Sequence, residues 1–139
     1  MTLSTSDKKL LRQLILHLGA AAGFAFFGAV YERFSHEVYS YRMIYAFAFP
    51  LLLGAFPYAV CLWKSYDAGT RAMQLWNAAV FTWTVGSVFR GVLEIYGTTN
   101  RLILVYPVAG AVSAAAAAIA LLDERKLRKT HPEEDAGYA

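Results

Sequence analysis

The chain has 139 residues, of which 58% are hydrophobic and only 17% are charged, and its net charge is +3. A soluble domain usually has about 25% charged residues. The charges also avoid four long apolar intervals, a layout typical of a membrane protein rather than of a soluble core. Because the basic residues flank these intervals, membrane topology explains the positive charge better than nucleic-acid binding does.

The sequence contains none of the short motifs that are typical of cofactor-binding or metal-binding sites. The lone Cys61 lies in an apolar run and is interpreted as a small buried hydrophobe. No Cys/His spacing fits a zinc site, and there is no Walker loop or GxGxxG motif. His17 has no second histidine at a similar depth, so a bis-histidine haem is not expected. We therefore predict no cofactor and no metal.

Four apolar spans predict an all-α fold, an integral membrane four-helix bundle that forms a single membrane domain over residues 1–139. The third span, which carries scattered polar residues, is expected to be the one most enclosed by protein. A basic segment after the fourth span should extend that helix by a turn or two, and the polar tail 130–139 should be disordered. The spans are predicted at roughly 10–33, 38–63, 72–96 and 101–122.

Small residues spaced four apart occur in the first and last spans, as Gly19 and Gly23 and as Gly110 and Ala114. Such strips let two helix backbones approach closely in lipid. Packing inside the same bundle is the favoured interpretation, a dimer seam is the alternative, and the two strips are candidates to face each other.

Three prolines bear on helix geometry. Pro50 and Pro57 predict a kink or local widening of the second span, with neighbouring helices satisfying the freed carbonyls. Pro107 is expected to interrupt the fourth span, and Thr98, Thr99 or Asn100 to cap its start.

The distribution of lysine and arginine predicts the orientation. With four spans, nine basic residues lie on the side that carries both termini, including every lysine, and four lie on the other side. The positive-inside rule therefore predicts that both termini are cytoplasmic. The first group is Lys8, Lys9, Arg12, Lys64, Arg71, Arg125, Lys126, Arg128 and Lys129, and the second is Arg33, Arg42, Arg90 and Arg101.

Two polar stretches, residues 31–45 with four tyrosines and residues 88–101 with one, are then expected on the outer face. Most of the tyrosines fit an interfacial belt. Charges near the hydrocarbon need partners, so the four ionisable residues are expected to point inward as two pairs, Arg90 with Glu94 and Glu32 with Arg42. The cluster is interpreted either as an ion-pair lock or as an outward-facing site for a small polar or anionic ligand. The candidate ligand-binding residues are Glu32, His36, Tyr39, Arg42, Arg90 and Glu94.

The segments YERFSHEVYSYRMIYAFAFP and GSVFRGVLEIYGTTN resemble those of a group of small four-span bacterial membrane proteins, mostly described as uncharacterised. The resemblance covers roughly residues 24–106. It implies the four-span topology and a bacterial origin, and hence the inner (cell) membrane, but no chemistry.

Three classes of function follow from these observations. The first is binding or transport of a small polar or anionic solute, with the lipid bilayer and either a homo-oligomer or another membrane protein as partners. The second is a non-catalytic membrane subunit, assembly factor or sensor. The third, an enzyme using Glu32, His36 or Glu94 as general acid or base, is disfavoured because nothing fixes a nucleophile, metal or cofactor. Nucleic acid is not an expected partner.

Overall fold

The computed structural model describes residues 2–130 of the chain. Four helices account for most of this part, and each is long and apolar enough to cross a membrane. The all-α class and the presence of four helices apolar enough to span a membrane are therefore confirmed. The predicted disordered tail, apart from Thr130, lies outside the described residues. The helices are α1 (Thr5–Phe34), α2 (Tyr41–Trp63), α3 (Thr70–Ile95) and α4 (Arg101–Thr130).

Capping residues set the helix ends that differ most from prediction. The Ser4 hydroxyl accepts a hydrogen bond from the Asp7 amide at 3.1 Å, and the Asp7 carboxylate accepts one from the Ser4 amide at 3.2 Å. This reciprocal cap starts α1 at Thr5, earlier than the predicted residue 10. At the start of α4, Asn100 accepts from the Leu102 amide at 3.0 Å, as predicted. Pro107 does not interrupt α4, because it lies in the first α-helical turn after a short 3₁₀ segment and needs no hydrogen bond there.

The second helix is irregular, as its prolines predicted. It passes from a 3₁₀ turn at Tyr45–Phe47 into a π-helix at Phe49–Ala55 and becomes α-helical at Phe56–Trp63. Pro57 has no amide hydrogen, so the carbonyl of Leu53 lacks its usual α-helical donor. The indole Nε1 of Trp76, on α3, donates to that carbonyl at 2.7 Å. A neighbouring helix thus satisfies the freed group.

The helices follow one another in space as they do in sequence. α1 packs on α2, α2 on α3, and α3 on α4, while α1 and α4 make no close backbone contact within residues 2–130. A Cβ placed on Gly19 or Gly23 would meet nothing within 4 Å. Packing inside the bundle is thus not found for these two glycines, and they do not face Gly110, because α1 turns its other face to α2. The Gly110 backbone does lie against a helix, at the indole of Trp83.

Other glycines mark the closest approaches between helices. The fully buried Met43 of α2 lies between Gly28 of α1 and Gly91 of α3. A Cβ on Gly28 would lie 3.2 Å from the Met43 carbonyl oxygen, and one on Gly91 would lie 2.8 Å from the Met43 Cβ. Gly54, in the π-helix, lies flat against the imidazole of His17. These contacts place α2 between α1 and α3.

Opposite ends of the bundle carry different groups. At the terminal end, which comprises residues 5–10, 64–69 and 123–130, Arg125 donates to the Tyr66 hydroxyl at 2.7 Å and stacks over its ring, while Arg128 lies 3.3 Å from the Asp67 carboxylate. These contacts fasten the extension of α4 to the connection between α2 and α3. The loop end comprises the two connections and the helix ends beside them, residues 31–45 and 88–101.

Adding one methyl group tests the contact between α1 and α2. Gly54→Ala should lower the free energy of unfolding by about 1–3 kcal/mol, because the new Cβ overlaps the enclosed imidazole of His17. Gly19→Ala, whose new methyl group would meet open space two residues along α1 from His17, is the matched control and should change it by no more than about 0.5 kcal/mol. Unfolding of the detergent-purified proteins measures both, and equal effects would contradict the packing described.

Candidate functional site

The loop end holds a cluster of polar side chains around one carboxylate. Glu94 Oε1 lies 2.7 Å from Arg42 Nε and 3.9 Å from Arg90 Nε, and Glu94 Oε2 accepts a hydrogen bond from Ser40 Oγ at 2.8 Å. These four residues, Ser40, Arg42, Arg90 and Glu94, are the loop-end cluster. It joins the start of α2 to the end of α3.

The backbone around the cluster explains how these side chains meet. Ser40 precedes the first turn of α2 and is buried against α3 at Gly91, where a Cβ would come within 3.1 Å of its hydroxyl. Ser87, one turn before Gly91, donates to the Arg42 carbonyl at 2.7 Å. The start of α2 is therefore held by α3 at two points, Ser40 and the Arg42 carbonyl, and Arg42 Nε lies 2.7 Å from Glu94 Oε1.

The structure corrects one of the two predicted ion pairs. Arg42 pairs with Glu94 rather than with Glu32, because the second helix begins against α3 at this end. Oε1 of Glu32 is buried and has no hydrogen-bond partner in the described part of the chain. The predicted pair of Arg90 with Glu94 is present, but at 3.9 Å it is the longer contact.

Two further candidate residues stand apart from the cluster. His36 is exposed, has a left-handed backbone (φ 50°), and its Nδ1 donates to the Phe34 carbonyl at 2.9 Å. Tyr39 is 64% exposed. Ser40, which was not among the predicted site residues, donates to Glu94 instead. Its position just before a helix start and close to Arg42 was the available signal in the sequence.

A cavity of about 420 Å³ opens beside the cluster, between the end of α3 and the start of α4. Arg90 and Glu94 of α3 and Arg101 of α4 line it, together with Thr98 and Thr99 of the connection between these helices. Arg42 already neutralises the carboxylate of Glu94, so Arg90 and Arg101 give the cavity an excess of positive charge. No ion pair to Arg101 exists among residues 2–130.

The guanidinium groups at this site retain unused donors. Each has five N–H groups in a planar fork that matches a carboxylate or phosphate. The contacts of Arg42 and Arg90 with Glu94 include Nε–Oε1 distances of 2.7 and 3.9 Å. A single carboxylate cannot occupy all the N–H groups of two guanidiniums, so donors remain for an anion.

A second polar group, absent from the sequence predictions, lies in the half of the bundle nearer the terminal end. Asn77 donates to Gln13 Oε1 at 2.8 Å and accepts from the Tyr58 hydroxyl at 2.7 Å, so one amide joins α1, α2 and α3. One helical turn away, His17 lies between Gly54, Tyr58 and Phe81. The signal in the sequence was the four-residue spacing shared by three spans, in Gln13/His17, Gly54/Tyr58 and Asn77/Phe81.

Cys61 lines a separate apolar cavity of about 250 Å³ near the terminal end, together with Tyr58, Trp76 and alanines of α4. The thiol is partly buried and free. Among residues 2–130, no three His, Cys, Asp or Glu side chains are close enough to hold a metal ion.

No family model, curated protein or solved structure matches the chain. The chemistry of the loop-end cluster is therefore argued from its own geometry.

The relative strengths of the two ion pairs can be measured with double-mutant cycles. The side chains are 39–47% exposed, so solvent screens both pairs. We expect a coupling of about 0.5–1 kcal/mol for Arg42 and Glu94, and about 0.3 kcal/mol or less for Arg90 and Glu94. Unfolding of Arg42→Ala, Arg90→Ala, Glu94→Ala and the two double variants gives these energies. A larger coupling for the Arg90 pair would contradict the geometry.

Proposed function

We propose that this is a multi-pass protein of a bacterial cell membrane and that its loop-end cluster binds a small anionic solute from the outer side. The observation that carries the proposal is the excess of arginine around a single carboxylate, beside an open cavity of about 420 Å³. Carboxylates are the preferred ligands of paired guanidinium groups. Uptake or release of such a solute is the corresponding transport function.

The proposed orientation rests on the basic residues. Positively charged segments are retained on the cytoplasmic side of bacterial membranes. The terminal end carries every lysine in the chain and the loop end carries none. In this orientation the termini are cytoplasmic and the cavity beside Arg90 opens to the outside.

An ion-pair lock and a binding site are compatible roles for different members of the cluster. Arg42, at 2.7 Å from Glu94 and tied to Ser87 through its carbonyl, supplies the lock. Arg90 and Arg101 line the cavity and are more weakly held, so they supply the anion-binding groups. Substitution of Arg90 or Arg101 therefore separates ligand binding from stability better than substitution of Arg42 does.

Thermal unfolding in detergent tests the proposed site. Formate, acetate, benzoate and phosphate are compared with ammonium and choline at equal ionic strength. A ligand that binds only the folded protein stabilises it by about 2.7 kcal/mol at 100 times its Kd, and so raises Tm. We expect at least one anion to raise the Tm of the wild type, and this shift to be lost in Arg90→Ala and Arg101→Ala.

Arg33→Ala is the matched control for that experiment. Arg33 is an exposed arginine at the same end of the bundle, but it does not line the cavity. It should therefore retain the full anion-dependent shift. A shift that is lost equally in all three variants indicates general charge attraction, and the absence of any shift in the wild type contradicts the proposal.

A second candidate function, a non-catalytic subunit or assembly factor, is favoured by the exposed strip on α1. Gly19 and Gly23 lie on a face that none of the other described helices covers, with Phe26 beside them 73% exposed. A flat strip of this kind suits the close approach of a second helix in lipid. The partner is either another copy of the chain or a different membrane protein.

Substitution of Gly19 and Gly23 tests whether the strip on α1 binds a partner helix. We expect Gly19→Leu combined with Gly23→Leu to abolish a cross-linked dimer or a co-purified partner without unfolding the bundle, because both side chains extend into open space. Ala115→Leu, at an exposed position of α4, is the control. A strictly monomeric, partner-free wild type in mild detergent and in nanodiscs would exclude this function.

A further inference from the structure

His17 is the only histidine, lysine, arginine or carboxylate side chain that is fully buried within residues 2–130. Its Nδ1 lies 2.8 Å from the backbone carbonyl of Gln13. A carbonyl oxygen can only accept a hydrogen bond, so Nδ1 carries the hydrogen and Nε2 of the neutral ring carries a lone pair. Nε2 is buried and has no hydrogen-bond partner there. The ring therefore presents an unused acceptor to the interior of the bundle.

The surroundings of the ring are nearly devoid of charge. From α2 it meets Gly54 and, at 5.3 Å between ring centres, Tyr58; from α3 it stacks on Phe81 at 5.1 Å. Tyr58 is the titratable group that faces it, and its hydroxyl is engaged by Asn77. His17 takes part in no ion pair in the described part of the chain. Nothing here accepts a hydrogen bond from a protonated Nε2.

The backbone that covers the ring is the irregular part of α2. Gly54 belongs to the π-helix at Phe49–Ala55, where the amide-to-carbonyl pattern is looser than in an α-helix. Pro50 and Pro57 remove two amide donors on either side of it. One freed carbonyl, that of Leu53, is already bonded to Trp76. The segment thus combines a close contact with His17 and a backbone that can rearrange at low cost.

We propose that His17 Nε2 is a proton-binding site inside the membrane, and that binding of the proton separates α1 from the π-helical segment of α2. The proton comes from water, and the neutral imidazole becomes an imidazolium whose new N–H needs an acceptor. While α1 and α2 are packed together, the contact between them provides no such acceptor. When they separate, water and main-chain carbonyls can accept the hydrogen bond. A ligand shifts a conformational equilibrium towards the state that binds it more tightly, so acid favours the opened form.

The same helix reaches the loop-end cluster. Arg42 lies in the first turn of α2 and pairs with Glu94, so a shift of α2 at Gly54 would also change the anion site. Protons bound at His17 would then alter anion affinity at Arg90 and Arg101. This coupling rests on the proposed function, but the proton site itself does not.

Two measurements on the full-length protein in nanodiscs test the proton site without any solute. The side-chain ¹⁵N NMR signals of the three histidines are followed from about pH 8 to about pH 4.5, the range in which histidine is most often titrated. Hydrogen exchange of residues 49–55, corrected for the intrinsic pH dependence of exchange, is measured in parallel. His17→Gln assigns the His17 signal. We expect His17 to gain its proton with the same midpoint as an increase in exchange of about tenfold or more, which corresponds to about 1.4 kcal/mol.

His36→Gln is the matched control. The Nδ1 atom of His36 also donates to a backbone carbonyl, at 2.9 Å, but its ring is exposed in the loop. This variant should keep the full acid-dependent increase in exchange, and His17→Gln should lose it. The proposal is overturned if the His17 signal stays neutral throughout, or if exchange rises equally in His17→Gln. If that variant does not fold, the wild type decides, because separate midpoints for protonation and exchange contradict the proposal.

Discussion

The carboxamide of Asn77 is the contact on which the arrangement of α1, α2 and α3 depends. It donates to Gln13 on α1 and accepts from Tyr58 on α2, while α1 and α3 make no close backbone contact of their own. In lipid, apolar surfaces gain little by leaving the acyl chains, so polar contacts and close packing decide which helix faces meet. An amide can serve both neighbours at once because it is both donor and acceptor.

Close packing at glycines supplies the other half of this arrangement, and it recurs along α2. Near the loop end Met43 lies between Gly28 and Gly91, and nearer the terminal end Gly54 lies against His17. The central helix is therefore fixed at two levels, yet between them it runs through a π-helix. Because α2 contacts both His17 and, through Arg42, Glu94, it is the structural link between the two polar groups of the bundle.

The four long apolar helices, the widening around Pro50 and a cap within residues 98–100 were predictable from the sequence because each depends on local chemistry. The sequence predicted the pair of Arg90 with Glu94 for the same reason, since residues four apart share a helix face. The partner of Arg42 depended on which helix lies beside the start of α2, and α3 rather than α1 does so. The outward position of Gly19 and Gly23 and the amide of Asn77 likewise depend on helix rotation, which a span's composition leaves open.

The order of the helices in space bears on how the chain enters the membrane. Each helix packs mainly on the one that precedes it, so the contacts of the described bundle join segments that are close in sequence. Loop closure between neighbouring segments costs little entropy. A helix that is inserted in chain order would therefore meet a packing partner that is already present. Arg125 and Arg128 belong to the end of α4, so their contacts with Tyr66 and Asp67 can form only after that end has been synthesised.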